Sequence, residues 1–591
     1  MLMSLQLIYG PSGSGKSYTL YKKIIEQSIR EPDREFIVIV PEQFTMQTQR
    51  ELVELHPNRG ILNIDVQSFL RLAWRIFEEV GVDTHTVLED TGKNLLLRRV
   101  ASRQKNDLTV LGRNFRKPGY ISQVKSIISE LKQYDVSLEE LDEQLRSGKK
   151  DALSYKLQDI RNLYEGFQEE LQGKYITSEE ILEELCYVVK KSEILKGCVV
   201  ALDGFTGFTP IQNKLLRELM QTAEKIYVTV TLDAWEDPMK KVSMHKLSYL
   251  SKKTIQQLAG AARECGCMLE KPEVLGKEGS IRFRSAPALR FLERHLFRPG
   301  NQIYEAQDSQ KLERELSLHV ARDAKAEAEF AARTIWHLVR EENLRYRDIA
   351  VITGDMESFG DHMKKELQQK GIPCFIDRTR KLLLNPLVEF LRAALQIATK
   401  SFRYESVFRY LRTGLAGLKR DEIDRLENYV LANGINSRRR WEEPWDEQEE
   451  PFKETILPPL LAFVDQVREK DGTVRQKTEA LYDLMVHYGI EQKMQDYREK
   501  FEQEEAYDLA REYEQIYGIV IELFDKLVEL LGDEPMSLQE YTEILDAGFE
   551  EAKVGMIPPT MDCVLVGDIE RTRLKDIKVL FFLGLNDGWV P

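Results

Sequence analysis

The sequence predicts an α/β protein with two parallel-sheet cores, each interrupted by a long helical insertion. Three observations carry that reading: short apolar runs bounded by helical periodicity, a glycine-rich turn between the first strand and the first helix, and the recurrence of the same order in the second half. "LQLIYG" and "EFIVIVP" are apolar without alternation, as strands covered on both faces must be. From 86 to 195 the chain turns polar and helical, and "ISQVKSIISELKQY" and "KLQDIRNLYEGFQEEL" space their apolar residues three and four apart. Strand patterns return at "GCVVALDGF" and "KIYVTVTLDA". A second set opens near 310, with strands predicted at "ELSLHVARD" and "DIAVITGD" on either side of the helix "AEAEFAARTIWHLV", followed by "GIPCFID". Helical pattern resumes through "AREYEQIYGIVIELFDKLVELL", with "SRRRWEEPWDEQEEPFK" as a surface excursion, before strands at "CVLVGD" and "VLFFLGL". The expected domains are 1–85 with 196–300 as the first core, 86–195 as its insertion, 301–400 with 554–591 as the second core, and 401–553 as its insertion.

The 591 residues are 42% hydrophobic, enough for several cores. A net charge of −14 argues against a generally adhesive nucleic-acid binder but leaves room for a local basic channel. No run reaches the ~18 apolar residues of a membrane span, and no basic-then-apolar leader precedes the first strand. A soluble, cytoplasmic protein without membrane contact is therefore expected. Cys186, Cys198, Cys374 and Cys563 have apolar surroundings and read as small core residues. Cys265 and Cys267 form a C-x-C pair without a second pair or nearby histidines, short of metal-ligand spacing. The chain stops directly after a strand pattern, at "LGLNDGWVP", which reads as a boundary inside a longer protein.

"GPSGSGKS" supplies Gly10, Pro11, Ser12, Gly13, Ser14, Gly15, Lys16 and Ser17, and matches G-x-x-x-x-G-K-[ST] between a strand and a helix. Glycines let backbone N–H groups wrap phosphate oxygens, and the helix N-terminus favours their charge. Lys16 is expected to reach the terminal phosphates of ATP, and Ser17 with the strand-ending Asp203 to hold Mg²⁺. Hydrolysis also needs a group that orients or deprotonates water. Gly204, Phe205, Thr206 and Gly207 offer no carboxylate, so binding without efficient turnover is expected and no catalytic residue is assigned.

"LDGFTGFTPIQ" resembles the superfamily-1 helicase pattern D-E-[FY]-Q-D-T-N-x-x-Q through Asp203, Phe205 and Gln212. "IRFRSAPALRFLERHLF" is similar to the N-Y-R-S segment of those helicases, and "VLFFLGLNDGWVP" to their V-F-L-x-G-L-x-[ED]-G-x-x-P strand. The resemblance implies two RecA-like P-loop NTPase cores in a 1A/1B/2A/2B layout, with Gln212 and Arg284 as further nucleotide contacts and Arg284 at the γ-phosphate. The departures are equally specific: no upstream L-N-x-x-Q adenine segment, Gly204 in place of glutamate, and "GDIERTRLKD" where motors carry an H-x-x-K-G-L-E-like segment. With "VPEQFTMQTQREL" and "VQSFLRLAW", the combination resembles the AddB family of bacterial AddAB helicase–nuclease subunits over essentially the whole chain. That resemblance implies an AddA-type motor partner, double-strand break processing in homologous recombination, contact with DNA ends and 3′-ended single strands, and recognition of Chi. It also implies a C-terminal exonuclease domain with a 4Fe–4S cluster, expected only beyond these residues.

Single-strand binders combine aromatic platforms with polar groups for phosphates. By the resemblance, the DNA path would use Gln43, Phe44 and Thr45 after the second strand, Ser68, Phe69, Arg71 and Trp74 after the third, and Phe205 and Phe208 beside the nucleotide loop. Packing is the competing role for each aromatic; Gln43 and Arg71 have less packing reason. "RTRK" (378–381) and "SRRR" (437–440) are further phosphate candidates or solvated runs. Two functional alternatives stay open: an active translocase with a relocated base at Asp568 or Glu570, and a scaffold with a vestigial P-loop.

Overall fold

Each apolar run of the first core finds cover on both faces. The computed structural model describes the chain except for residues 1–2, 83–85, 105–107, 113–119, 148–150, 173, 299, 301, 306–307, 377–379, 505, 552, 555–561, 570–571, 573, 575, 589 and 591. The described residues gather into two compact units, one drawn chiefly from 1–93 and 120–317, the other chiefly from 318 onward.

The first unit holds β1 (Ser4–Gly10), β2 (Phe36–Ile39), β3 (Ile64–Gln67), β4 (Val199–Leu202), β5 (Lys225–Thr231), β6 (Met268–Leu269) and β7 (Glu273–Val274). Their order is β3-β2-β4-β5-β1-β6 with β7 also on β1, and every pairing is parallel. Successive side chains of a strand point to opposite faces, and here both faces are filled. Phe36 and Val38 pack with Leu20 and Ile24 of α1 (Lys16–Arg30) and Leu52 of α2 (Thr45–Leu55). Ile37 and Ile39 face Leu72 and Ile76 of α3 (Phe69–Val80), with Leu215 of α4 (Pro210–Leu219) and Leu258 of α5 (Tyr249–Glu264) in the same layer. All four β2 residues are fully buried, each such side chain contributing roughly 1.5–3 kcal/mol. The helix Ser178–Val188, inside the predicted insertion, adds Ile181 and Leu185 to that layer.

Between these segments lie helices Asp90–Arg103, Tyr120–Gln133, Leu138–Ser147 and Ala152–Leu171. A short parallel pair, Thr86–Leu88 with Tyr175–Thr177, which periodicity did not announce, brackets them. Asp159 on the last of these helices is fully buried and accepts hydrogen bonds from the amides of Thr109, Val110 and Leu111 and from the Thr109 hydroxyl.

In the second unit, β8 (Ile349–Thr353), β9 (Cys374–Ile376), β10 (Val564–Asp568) and β11 (Val579–Leu583) form a parallel sheet in the order β9-β10-β8-β11. Ala328, Ala332 and Ile335 of α6 (Ala324–Glu341) and Met363 and Leu367 of α7 (Met356–Gln369) cover it. The protein is thus α/β, with two parallel sheets and many helices. The strand predicted at "ELSLHVARD" does not form: after Glu315 the chain is irregular, and Leu318 and Val320 stand exposed. Alternation is present there, but no described strand supplies a hydrogen-bonding ladder. The stretch 437–453 is also more than a surface excursion. Trp441 is buried, with its ring 4.9 Å from that of Trp445, and Arg438 pairs with Glu442 and Asp465. Cys374 and Cys563 are only partly buried, whereas Cys267 joins the first core.

Asp159→Ala would leave three amides without an acceptor, the buried one of Leu111 among them, and is expected to cost about 3 kcal/mol or more. Hydrogen exchange at Thr109–Leu111 reads this directly: protection should fall there, and unchanged protection would refute the role given to the carboxylate.

Candidate nucleotide site and nucleic-acid face

The turn from Gly10 to Gly15 leaves β1 and enters α1 at Lys16, with Gly15 at φ +88° as the cap. That arrangement follows from the glycines, since L-residues rarely adopt such a φ. Lys16 Nζ donates to the carbonyls of Gly10 (3.1 Å) and Pro11 (2.9 Å), so the ammonium rests against its own loop. Burial pushes its pKa down to about 8; Asp203 works against that shift and Arg282 adds to it.

Asp203 follows β4 and is 2% exposed. Its amide donates to the Ile39 carbonyl at 3.1 Å, which fixes it at the carboxyl end of the sheet. The carboxylate then accepts from Ser17 Oγ (3.0 Å), Thr229 Oγ1 (2.6 Å) and the Tyr21 hydroxyl (2.7 Å). Ser17 and Tyr21 lie one turn apart on α1, so both face the same side. Thr229 comes from β5, the strand interposed between β1 and β4. Tyr21 and Thr229 were not singled out from sequence; the i, i+4 spacing from Ser17 was the available signal for Tyr21, and strand alternation the weaker one for Thr229.

Gly204 is exposed and has φ +82°. The position that lacks a glutamate therefore also needs the left-handed backbone, which costs an L-residue roughly 1–2 kcal/mol. Gln212 spends its side chain in a capping box, accepting from the Thr209 amide while Thr209 Oγ1 accepts from the Gln212 amide. Arg284 is exposed, whereas Arg282, two residues earlier, lies against Gly13. Among the described residues no group of three His, Cys, Asp or Glu side chains is arranged to hold a metal alone. A cation here would share oxygens of a ligand with Ser17 and Asp203, and that hard-oxygen pair suits Mg²⁺.

The predicted nucleic-acid residues divide by exposure. Gln43, on the turn Glu42–Phe44, and Arg71 are exposed, and Trp74 is 37% exposed. Arg71 Nε donates to Glu42 Oε1 at 2.9 Å, a carboxylate contact that sequence reading did not anticipate. Thr45 and Ser68 are buried; Thr45 donates to the Glu42 carbonyl and Ser68 caps α3 by accepting from the Arg71 amide. Phe69, Phe205 and Phe208 form a ring cluster with centroids 5.2–6.5 Å apart against the core. Phe44 packs on the opposite layer. Of the basic runs, Arg438, Arg439 and Arg440 all pair with carboxylates, which leaves little charge for phosphate. Arg378 and Thr379 lie outside the described residues, as does Glu570; Asp568 ends β10.

Residues 7–293 match the family model described as "ADDB, N-terminal", and residues 284–547 match that of the UvrD-like helicase C-terminal domain. The latter implies RecA-like P-loop cores. Along its whole length the chain is 46% identical to an ATP-dependent helicase/deoxyribonuclease subunit of Lachnoclostridium phytofermentans, covering 52% of that protein. Proteins of the same name from Clostridium novyi and Desulforudis audaxviator are each 35% identical over all of this chain, which covers 52% and 53% of them. The chain spans about half the length of the relatives it matches.

Because the Lys16 pKa lies near 8, a polyphosphate that binds its charged form should lose affinity as pH rises, about tenfold between pH 7 and 9. Sign and size follow from the protonated fraction, which for a pKa of about 8 falls from about nine-tenths at pH 7 through a half at pH 8 to about one-tenth at pH 9. A flat profile in a nucleotide titration would show that Lys16 is not in contact. Gly204→Glu, in turn, restores a carboxylate only against the left-handed backbone. Its ATP turnover should stay at background, and sustained phosphate release by that variant would refute the backbone argument.

Proposed function

The chain belongs to the AddB family as its N-terminal, helicase-like part, and on that premise we propose that it is a nucleotide-binding, non-hydrolysing module that grips single-stranded DNA and reads Chi beside an AddA-type motor subunit. In this reading it serves double-strand break processing in homologous recombination, in the cytoplasm, and the longer family members add the exonuclease half with its 4Fe–4S cluster. The proposed layout is 1A (1–85 and 196–300), 1B (86–195), 2A (301–400 and 554–591) and 2B (401–553).

One observation carries the proposal: a complete P-loop whose Ser17 is bonded to Asp203, followed by a glycine with a left-handed backbone where a motor needs its carboxylate. ATP would lie on the loop, with Lys16 leaving its carbonyl partners for the terminal phosphates. Bound Mg²⁺ supplies neutralisation of the phosphate charge, and Ser17 Oγ with Asp203 would hold it. Nothing at 204–208 can take a proton from water, so the residues bind and orient without cleaving. Nucleotide occupancy is then structural or regulatory, acting through whichever conformation binds it better.

For DNA, the reading leans on exposed groups at the carboxyl ends of β2 and β3. Gln43 and Arg71 offer hydrogen bonds and Trp74 a stacking face, while the Phe69–Phe205–Phe208 cluster supports the surface from beneath. Glu42 competes with a phosphate or base for Arg71, so binding must replace that ion pair.

The purified chain should bind ATP, lose it on Lys16→Ala, and release no phosphate with or without single-stranded DNA. DNA-stimulated turnover would favour a translocase instead, and absence of binding a vestigial loop. In the complete protein with its motor subunit, Arg71→Ala and Gln43→Ala should weaken Chi-dependent attenuation while sparing bulk unwinding; an unchanged Chi response in both variants would overturn the DNA reading.

A further inference from the structure

Where β5 ends, the chain runs to α5 without forming a helix or a strand. The Leu232 amide donates to the Gly10 carbonyl at 3.1 Å, and the next helix begins at Tyr249. The connection is nonetheless pinned. Asp233 accepts from the Trp235 amide at 3.1 Å and pairs with Arg298, and Asp237 accepts from the Met239 amide at 2.9 Å. Two side chains of α5 fasten it to the core: Gln256 donates to the Pro238 carbonyl at 3.0 Å, and the buried Lys252 pairs with Glu236.

On this fixed stretch the large apolar side chains stand in solvent. Trp235 is 64% exposed, Met239 47%, Met244 79%, Leu247 77% and Leu250 61%. Singly, such residues are ordinary. Five on one pinned connection are apolar surface kept out of the core at a cost, and Trp and Met are types that interface centres gather. The free charges have one sign. The carboxylates of 232–250 are Asp233, Glu236 and Asp237, the first two in ion pairs and the third on a backbone amide. Lys240, Lys241, Lys246 and Lys253 are exposed, and among the described residues no carboxylate pairs with them. In a chain of net charge −14 that local surplus selects an acidic occupant. Nucleic acid is acidic, but single strands bind to rings that stack on bases, and Met239, Met244, Leu247 and Leu250 have none. A protein face with an apolar centre and a carboxylate rim meets both features.

We propose that residues 235–250, with Lys253, form a docking surface for the companion motor subunit, whose matching face is apolar at its centre and rimmed by carboxylates. This rests on the reading above of the chain as one subunit of a helicase–nuclease pair.

The test is assembly of the complete protein with its purified motor subunit, followed by sedimentation over a dilution series at low and high salt. Met244→Asp and Leu247→Asp should each weaken assembly about tenfold or more, as a charge set into an apolar interface does. Parent assembly should weaken as salt rises, and the double variant Lys240→Glu, Lys241→Glu should lower affinity at low salt and flatten that dependence. Leu62→Asp, at a fully exposed leucine elsewhere in the first unit, should match the parent. Thermal unfolding should match the parent throughout because these side chains are exposed; should an aspartate variant fall, Leu247→Ser and the lysine pair carry the comparison. Unchanged assembly in the Met244, Leu247 and lysine variants would overturn the proposal. So would loss of single-stranded DNA binding with assembly intact, which makes nucleic acid the occupant, or a loss confined to self-association, which makes it a second copy. If the parent does not assemble with the motor subunit, the subunit reading itself falls and this inference with it.

Discussion

The buried carboxylate of Asp203 is the constraint on which the nucleotide end of the first core depends. It is almost free of solvent, and a carboxylate in that position is costly unless donors surround it. Three hydroxyls meet the requirement, and they come from different elements: Ser17 and Tyr21 from α1, Thr229 from β5. The network therefore ties the helix that follows the phosphate loop to the strand beside β1 and to the end of β4. Its strength is also its limit. A carboxylate saturated in this way is suited to hold a cation through shared oxygens, and it is not available as a base.

Around that anchor the loop gathers charge. Lys16 sits on carbonyls of its own turn with its pKa lowered by burial, and Arg282 arrives from the segment after β7. Gly204 closes the carboxylate side with a backbone conformation rather than a side chain. The missing glutamate is thus part of the local fold: the chain turns left-handed directly after Asp203, where a glutamate would carry strain.

The neighbouring face works by division of labour. Rings that a sequence reader would offer to DNA bases are largely spent on each other, with Phe69, Phe205 and Phe208 in mutual contact above the core. The groups left at the surface are the polar Gln43 and Arg71 and the partly exposed Trp74. Arg71 is already bonded to Glu42, in an exposed ion pair worth at most about 1 kcal/mol. Such a pair orients the guanidinium without holding it against a competing ligand.

How much of this was legible depended on whether the signal was local. The phosphate loop, the apolar strands and the helical periodicity are properties of adjacent residues, so the sequence alone determined the α/β class, the two sets of parallel strands, and the candidate loop from Gly10 to Ser17. The failed strand at "ELSLHVARD" shows the boundary of that information, because a strand also needs a partner ladder that alternation cannot guarantee. Trp441 shows the same in reverse: charged neighbours marked its segment as surface, and packing buried it. Residues joined across long separations were decided only by the tertiary structure. Tyr21 and Thr229 reach Asp203 from 182 and 26 positions away, and the Arg282 amide meets the Gly13 carbonyl from the segment after β7. Local pattern marks which elements can form; only packing decides which strands find a ladder and which donors surround a buried charge, because both depend on desolvation and proximity in space.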